Sequence, residues 1–169
     1  MLTTDVTIIG GGCVGLTAAL GLAQNGFKVL VLDKGPEVTQ LNEPELRVSA
    51  ISAASENILT ALRAWTELDS ERLSPYQTMS VWDKDSFGKI KFDSRDVGKG
   101  HLGHIIENNH IKNALVAACY KQGQITLKYE TGVQSLHNDD EQVLITLDSG
   151  SPVISKLLIA ADGANSWVR

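Results

Sequence analysis

Gly10, Gly12 and Gly15 stand at the spacing G-x-G-x-x-G in "IIGGGCVGL", between an apolar run and a stretch dense in leucine and alanine. Glycines so placed do what other residues prevent. Gly10 permits a tight turn, Gly12 lets a pyrophosphate approach bare backbone, and Gly15 lets a helix sit close to a strand. N–H groups at the helix N-terminus, with the positive end of its dipole, then face the phosphates. An acid follows at about the required distance of roughly 20 residues: Asp33, at the end of a second apolar run. A carboxylate there accepts from a ribose 2′-hydroxyl and repels a 2′-phosphate, which disfavours NADP at this site. A ligand-free glycine turn would explain the loop alone, but not strand, helix, second strand and acid in register. The constellation fits an adenine dinucleotide and leaves NAD and FAD both open.

A second candidate group lies in "LLIAADGANSWVR", Leu157 to Arg169. An apolar strand running into Asp162-Gly163 can present a carboxylate and a bare N–H to a ligand across the sheet edge. Asp-Gly is also an ordinary turn pair, so this stretch alone decides nothing. The other reactive side chains carry less. His101, His104, His110 and His137 form no i,i+4 pair on one helix, and the first two read as strand or loop residues, so no metal site is expected. Cys13 needs only to be small. Trp65, Trp82 and Trp167 read as core or hairpin packing, Arg63 as a solvated side chain, and Asp83, Lys84 and Asp85 as a solvated hairpin end.

The elements that must position these residues follow from apolar periodicity. Asp5 to Ile9 reads as a buried strand, Val14 to Gln24 as a helix packed on a sheet, and Lys28 to Leu32 as a second strand after the Asn25-Gly26 stop. This is a βαβ unit with a parallel sheet. Lys34 to Leu46, with Pro36 and Pro44, reads as a loop. A helix is expected over Ala53 to Trp65, capped by Ser52 or Ser55, with Ile58, Leu59, Leu62 and Trp65 on one side. "MSVWDKDSFGKIKFD" reads as a β-hairpin turning at Asp85 to Gly88. Leu102 to Glu107 is a strand, and Asn108 to Lys121 a helix with Ile111, Leu115 and Ala118 inward. Strands follow at Ile125 to Tyr129, Gly132 to Leu136, Val143 to Leu147 and, after the Asp148 to Gly150 turn, Lys156 to Ala160. The fold class is α/β: a Rossmann-like domain whose parallel sheet carries an antiparallel β insertion.

The bulk numbers bound the function. A chain of 169 residues with 43% apolar and 21% charged residues has the profile of a globular protein. A net charge of -5 without a basic stripe argues against nucleic acid as a partner. No apolar stretch approaches the roughly 18 residues needed to span a bilayer. The apolar run at the N-terminus has no basic segment ahead of it and is broken by glycines, unlike a secretory signal. Two cysteines, Cys13 and Cys119, lie far apart with no ligand pattern, so a reducing cytoplasm is the default compartment.

Four stretches in order, "DVTIIGGGCVGL…VLDKG", "LRVSAISAASENILTALRAW", "LGHIIENNHIKNAL" and "LLIAADGANSWVR", resemble the N-terminal part of the class A flavin-dependent aromatic hydroxylases. The likeness is greatest to the ubiquinone-biosynthesis branch, the polyprenylphenol and polyprenyl-benzoquinol hydroxylases. "VWDKDSFG" looks most like the branch's 2-polyprenylphenol hydroxylase. The resemblance implies that Gly10, Gly12, Gly15 and the N–H of Val14 hold the pyrophosphate of FAD. It implies Asp33 on the adenosine ribose, one methylene shorter than the glutamate of most relatives. Arg47 would lie by the flavin or its phosphates, Val133 would meet the adenine through its backbone, and Asp162 would serve both FAD and the passing nicotinamide donor. Asn109 replaces an arginine found in many relatives, which removes a cationic contact.

The implied reaction is hydroxylation of the aromatic ring of a polyprenylated phenol or quinol in ubiquinone biosynthesis, with NAD(P)H reducing FAD and O2 supplying the oxygen. It implies peripheral contact with a membrane or lipid-carrying partner, and allows a place in a ubiquinone-biosynthesis protein complex. The family is much longer than 169 residues. Its second flavin motif, a Gly-Asp pair before a helix, and the sheet that forms much of its substrate pocket have no counterpart in the sequence. The expectation is that residues 1–169 are the N-terminal portion of the FAD-binding domain and do not turn over alone. Two alternatives stand beside this: a stand-alone NAD-dependent oxidoreductase, resting on the glycine loop and Asp33, and a non-catalytic scaffold module of a biosynthetic complex.

Overall fold

The computed structural model of the chain describes residues 2–37 and 45–168. Its elements run β1 (Leu2–Ile9), α1 (Cys13–Gln24), β2 (Val29–Leu32), β3 (Val48–Ser52), α2 (Ala53–Ala61), β4 (Ser74–Tyr76), β5 (Thr78–Trp82) and β6 (Lys89–Asp93). They continue with β7 (Gly103–Glu107), α3 (Asn108–Tyr120), β8 (Ile125–Lys128), β9 (Val133–Asn138), β10 (Val143–Leu147) and β11 (Pro152–Ala160). Two compact units divide them: one drawn from residues 1–40 and 112–169, the other from 41–111. The loop expected over Lys34 to Leu46 falls partly, and the terminal Arg169 wholly, outside the described residues.

The first unit is built on a six-stranded sheet of order β8-β2-β1-β11-β10-β9. β8, β2, β1 and β11 run parallel, while β10 and β9 return antiparallel. Strands covered on both faces need continuous apolar runs, and β2 and the end of β1 are buried continuously. Val29, Leu30, Val31 and Leu32 are all buried, as are Val6, Ile8 and Ile9. Ala19 of α1 packs with Val6, Ile8, Val29 and Val31, and a second cluster joins Ile9, Leu30, Leu32, Val133, Ile145 and Val153. Gly26, at φ 86°, takes the left-handed conformation that turns the chain after α1. β11 starts at Pro152, earlier than the expected Lys156. Its first residues pair with β10 (Thr146 with Pro152, Ile145 with Val153), and Gly150 at φ 78° makes the turn between them.

In the second unit β3, β7 and β4 form an antiparallel sheet and β5 pairs with β6 as the expected hairpin. β3 and β4 carry no sequence signal strong enough to be expected. β3 is mostly exposed and exists through its pairing with β7, Val48 opposite Glu107 through Ser52 opposite Gly103. Ser52 caps α2, its Oγ accepting the Ser55 N–H at 3.3 Å. The helix ends at Ala61 and does not reach Trp65. Arg63 adopts φ 60°, and the N–H groups of Arg63 and Ala64 donate to the carbonyls of Thr60 and Leu59. That is a Schellman closure with arginine where glycine is usual. Leu59 and Leu62 are buried as expected, whereas Ile58 is half exposed. Among the described residues no helix is long and apolar enough to cross a membrane.

Candidate dinucleotide site

The glycine loop links β1 to α1 in the first unit, and backbone pairing fixes both of its ends. The Gly10 N–H donates to Leu32 O at 2.8 Å, and the Ala161 N–H donates to Ile9 O at 2.8 Å. Gly10 sits at φ 109°, and a Cβ there would lie 2.2 Å from the Ala161 carbonyl oxygen. A Cβ on Gly15 would lie 2.0 Å from the Gly10 carbonyl oxygen, so α1 rests directly on the loop. Gly12 is different: a Cβ there would meet nothing within 4 Å. It is the N-cap of α1, has no side chain with which to cap the first turn, and is followed by no acid in that turn. The N-terminus of α1 therefore lacks a side-chain cap from Gly12 and stands beside open space.

Asp33 follows β2 and is held from both sides. Its Oδ2 accepts the Gly11 N–H at 2.8 Å, its Oδ1 accepts the Gly35 N–H at 2.8 Å, and its own N–H donates to Lys128 O at 2.9 Å. Lys112 Nζ stands 3.9 Å from Oδ2. No sequence spacing marks this neighbour, because only the fold brings α3 beside β2. The helical position three residues before it, Asn109, holds no cation; its amide donates to Glu45 in the second unit.

Asp162 follows β11. Its Oδ2 accepts the Trp167 N–H at 2.9 Å, while its Oδ1 is buried without a hydrogen-bond partner. Burial pushes this carboxyl upward, but the Ser166 hydroxyl and the N–H groups of Trp167 and Val168 hold it below the ordinary value.

These stretches meet in one cavity of about 390 Å³. Gly10, Gly12, Asp33, Val133 and Asp162 all line it, from four separate parts of the chain. Trp167 lines it as well, half exposed, in place of the packing role expected of it. Gly15 is a spacer beneath the loop, and Val14 is 75% exposed on the first turn of α1. Arg47 belongs to the second unit, where its side chain is exposed and its carbonyl accepts the Asn108 N–H at 3.0 Å.

A family model, the FAD binding domain, matches residues 3–169. The chain belongs to the FAD binding domain family. Tested against FAD, the residues of the cavity fit. Open space over Gly12 admits a phosphate that any side chain would crowd, and the unpaired Oδ1 of Asp162 is an acceptor in want of a donor. An FAD binding domain also answers the choice between NAD and FAD that the glycine loop left open.

Among the relatives, the 3-demethoxyubiquinol 3-hydroxylase of Escherichia coli K12 is 37% identical over 169 residues, which cover 98% of this chain and 43% of that protein. The mitochondrial ubiquinone biosynthesis monooxygenase COQ6 of Danio rerio is 36% identical over 98% of this chain and 37% of its own length. The FAD binding domain here thus spans less than half the length of these relatives. In fold it is similar to the crystal structure of p-nitrophenol 4-monooxygenase PnpA from Pseudomonas putida DLL-E4. The TM-score is 0.78 at 22% identity, covering 100% of this chain and 43% of that one.

The second unit of this FAD binding domain holds a cluster that spacing did not reveal. His101 and His104 lie against Glu56, from a helix 45 residues earlier in the chain than His101. His110 is separate, its Nε2 accepting the Asp69 N–H at 3.0 Å.

Proposed function

We propose that this chain holds FAD for an aromatic-ring hydroxylase of ubiquinone biosynthesis, acting on a polyprenylated phenol or quinol with NAD(P)H and O2. The observation that carries the reading is the single cavity in which Gly10 and Gly12 meet Asp33, Val133 and Asp162. In this reading the pyrophosphate rests on the backbone of Gly12, and the first-turn N–H groups of α1, Val14 among them, donate to it. Asp33 accepts from the adenosine ribose; its two backbone donors leave each carboxylate oxygen a further lone pair. Val133 abuts the adenine, and Asp162 accepts at the flavin side. When bound, the flavin supplies hydride acceptance and oxygen activation. The domain's part is to fix the dinucleotide so that its isoalloxazine is presented to the substrate ring. Supporting the substrate class are the two relatives named above, one by name a demethoxyubiquinol hydroxylase and the other a ubiquinone biosynthesis monooxygenase. Supporting the division of labour is the length covered, since the match spans only 43% of the longer relative.

The test is spectroscopic and chemical. The 169-residue polypeptide is expected to take up FAD, measured by fluorescence quenching, without consuming NAD(P)H in the presence of a phenolic substrate. The protein at the length of its relatives is expected to purify yellow and to yield a product heavier by one oxygen atom. A colourless protein that reduces NAD would overturn the assignment, and so would retained flavin with no hydroxylated product from the long form.

A further inference from the structure

We propose that Glu56, His101 and His104 form a binding site for a divalent transition-metal ion, with Zn2+ as its reference occupant. The three come from different places. Glu56 stands in the first turn of α2, His104 in β7, and His101 just ahead of that strand. One oxygen, Glu56 Oε2, lies 3.2 Å from His101 Nε2 and 3.3 Å from His104 Nδ1. All three donor atoms lie within 4.8 Å of one another.

The two spacings to Glu56 Oε2 match the edges of a metal site. Imidazole nitrogen and carboxylate oxygen sit about 2.0–2.2 Å from Zn2+, so the edge of a tetrahedral site is roughly 3.4 Å and that of an octahedral site roughly 3.0 Å. The observed 3.2 and 3.3 Å fall between these. Two histidines and one carboxylate are also a recurrent open donor set, leaving positions for water or a further ligand.

Hydrogen bonding alone does not complete the cluster. The His101 ring bonds to Glu56, but His104 Nδ1 is buried and makes no hydrogen bond. It faces the same carboxylate oxygen at a distance where an ion would serve both. An unpaired buried ring nitrogen is costly, and a cation bound there removes that cost.

The ligands stand on rigid elements. β7 pairs with β3 through Ser52 opposite Gly103, and the Ala53 N–H donates to Leu102 O at 3.1 Å. A Cβ on Gly103 would lie 2.0 Å from the Ile51 carbonyl oxygen, so the end of β3, which leads directly into α2, is pressed against the chain between the two histidines. Trp65 meets the His104 ring edge-on, with centroids 5.4 Å apart, and limits its rotation. The site is reachable from solvent: the side chains are 13% (His104), 22% (Glu56) and 36% (His101) exposed. A bound ion fastens the first turn of α2 to β7.

Chelator-treated full-length protein, loaded with FAD, is titrated with Zn2+ by calorimetry and with Co2+ by visible absorption. The expected result is one Zn2+ per chain, a higher melting temperature with Zn2+ present, and ligand-field bands from Co2+. Glu56→Gln and His101→Ala each lower Zn2+ affinity by about tenfold or more, while His137→Ala leaves it unchanged. His101→Cys restores binding and adds a thiolate charge-transfer band with Co2+, which a purely structural histidine would not yield. Retained flavin absorbance shows that each variant is folded. No saturable Zn2+ uptake by the wild type, or equal affinity in wild type and His101→Ala, overturns the proposal, and neither result bears on FAD binding.

Discussion

The Gly11 N–H donates to Oδ2 of Asp33, so the loop expected to face phosphates and the acid expected to face a ribose are bonded to each other. Asp33 is thus a brace for the loop as well as a ligand. In Asp33→Asn one amide face can no longer accept, and either the Gly11 or the Gly35 N–H loses its partner. The expected cost is about 1–3 kcal/mol of stability in the cofactor-free protein, read by urea unfolding. FAD affinity falls in addition. Unchanged stability with weaker FAD binding would show the brace to be unimportant.

Gly10 and Gly12 separate structure from ligand. A methyl on Gly10 meets the backbone of Ala161 at 2.2 Å, and φ 109° is itself unfavourable for alanine. Gly10→Ala is expected to destabilise the fold by several kcal/mol. Gly12→Ala meets no protein atom within 4 Å, and its stability is expected to stay within about 1 kcal/mol of the wild type. Its FAD affinity drops about tenfold or more, because the methyl occupies the space left for the phosphates. Melting curves with and without FAD distinguish the two.

Arg63 offers a stabilising change. Its left-handed backbone, at φ 60°, ends α2, and glycine takes that conformation without a Cβ penalty. Arg63→Gly is expected to raise stability by about 0.5–1 kcal/mol, read as a higher urea midpoint at unchanged slope.

Four aspartates are held below the ordinary carboxylate value. The Arg95 side chain does this to Asp93, Lys156 to Asp5, and the Glu141 and Gln142 N–H groups to Asp139. Asp162, despite its burial, is the fourth, through Ser166 and its backbone donors. The unfolded chain then binds more protons than the folded one. Their contribution is fully present above the unfolded value of 3.8 and is lost as pH falls below it toward the folded values. Melting temperatures measured from pH 6 down to pH 3 are expected to fall, less steeply in Asp162→Asn.

Cys119 is buried, and burial pushes its thiol up to about 12. A thiol reagent at pH 8 is expected to label at most Cys13 in the native protein and both cysteines in denaturant. Native labelling of Cys119 would show that α3 opens.

The βαβ start, the hairpin and five of the six strands of the large sheet are legible within a few residues, because buried parallel strands and paired turns leave dense local signals. β11 is legible only from Lys156 onward, past its start at Pro152. What local pattern could not show is pairing at a distance. β3 is mostly exposed and takes its form from β7, and the end of α2 rests on an arginine in a conformation usually left to glycine. At the site, Gly10, Gly12, Asp33 and Asp162 are readable because each needs its residue type. Lys112 and the Glu56, His101, His104 group carry no spacing signal, since helices and strands far apart in the chain bring them together.

β1 pairs with β11 along seven residues, Leu2 beside Val153 through Ile9 beside Ala160. A ribosome that has made β1, α1 and β2 has therefore made a strand with one neighbour missing for about 120 residues more. At about 5–20 residues per second that is roughly 6–24 s of exposed, apolar strand edge. The cavity wall at Asp162 emerges later still. Nascent chains stalled before Pro152 are then the ones that chaperones hold, and cofactor capture waits until Asp162 has emerged.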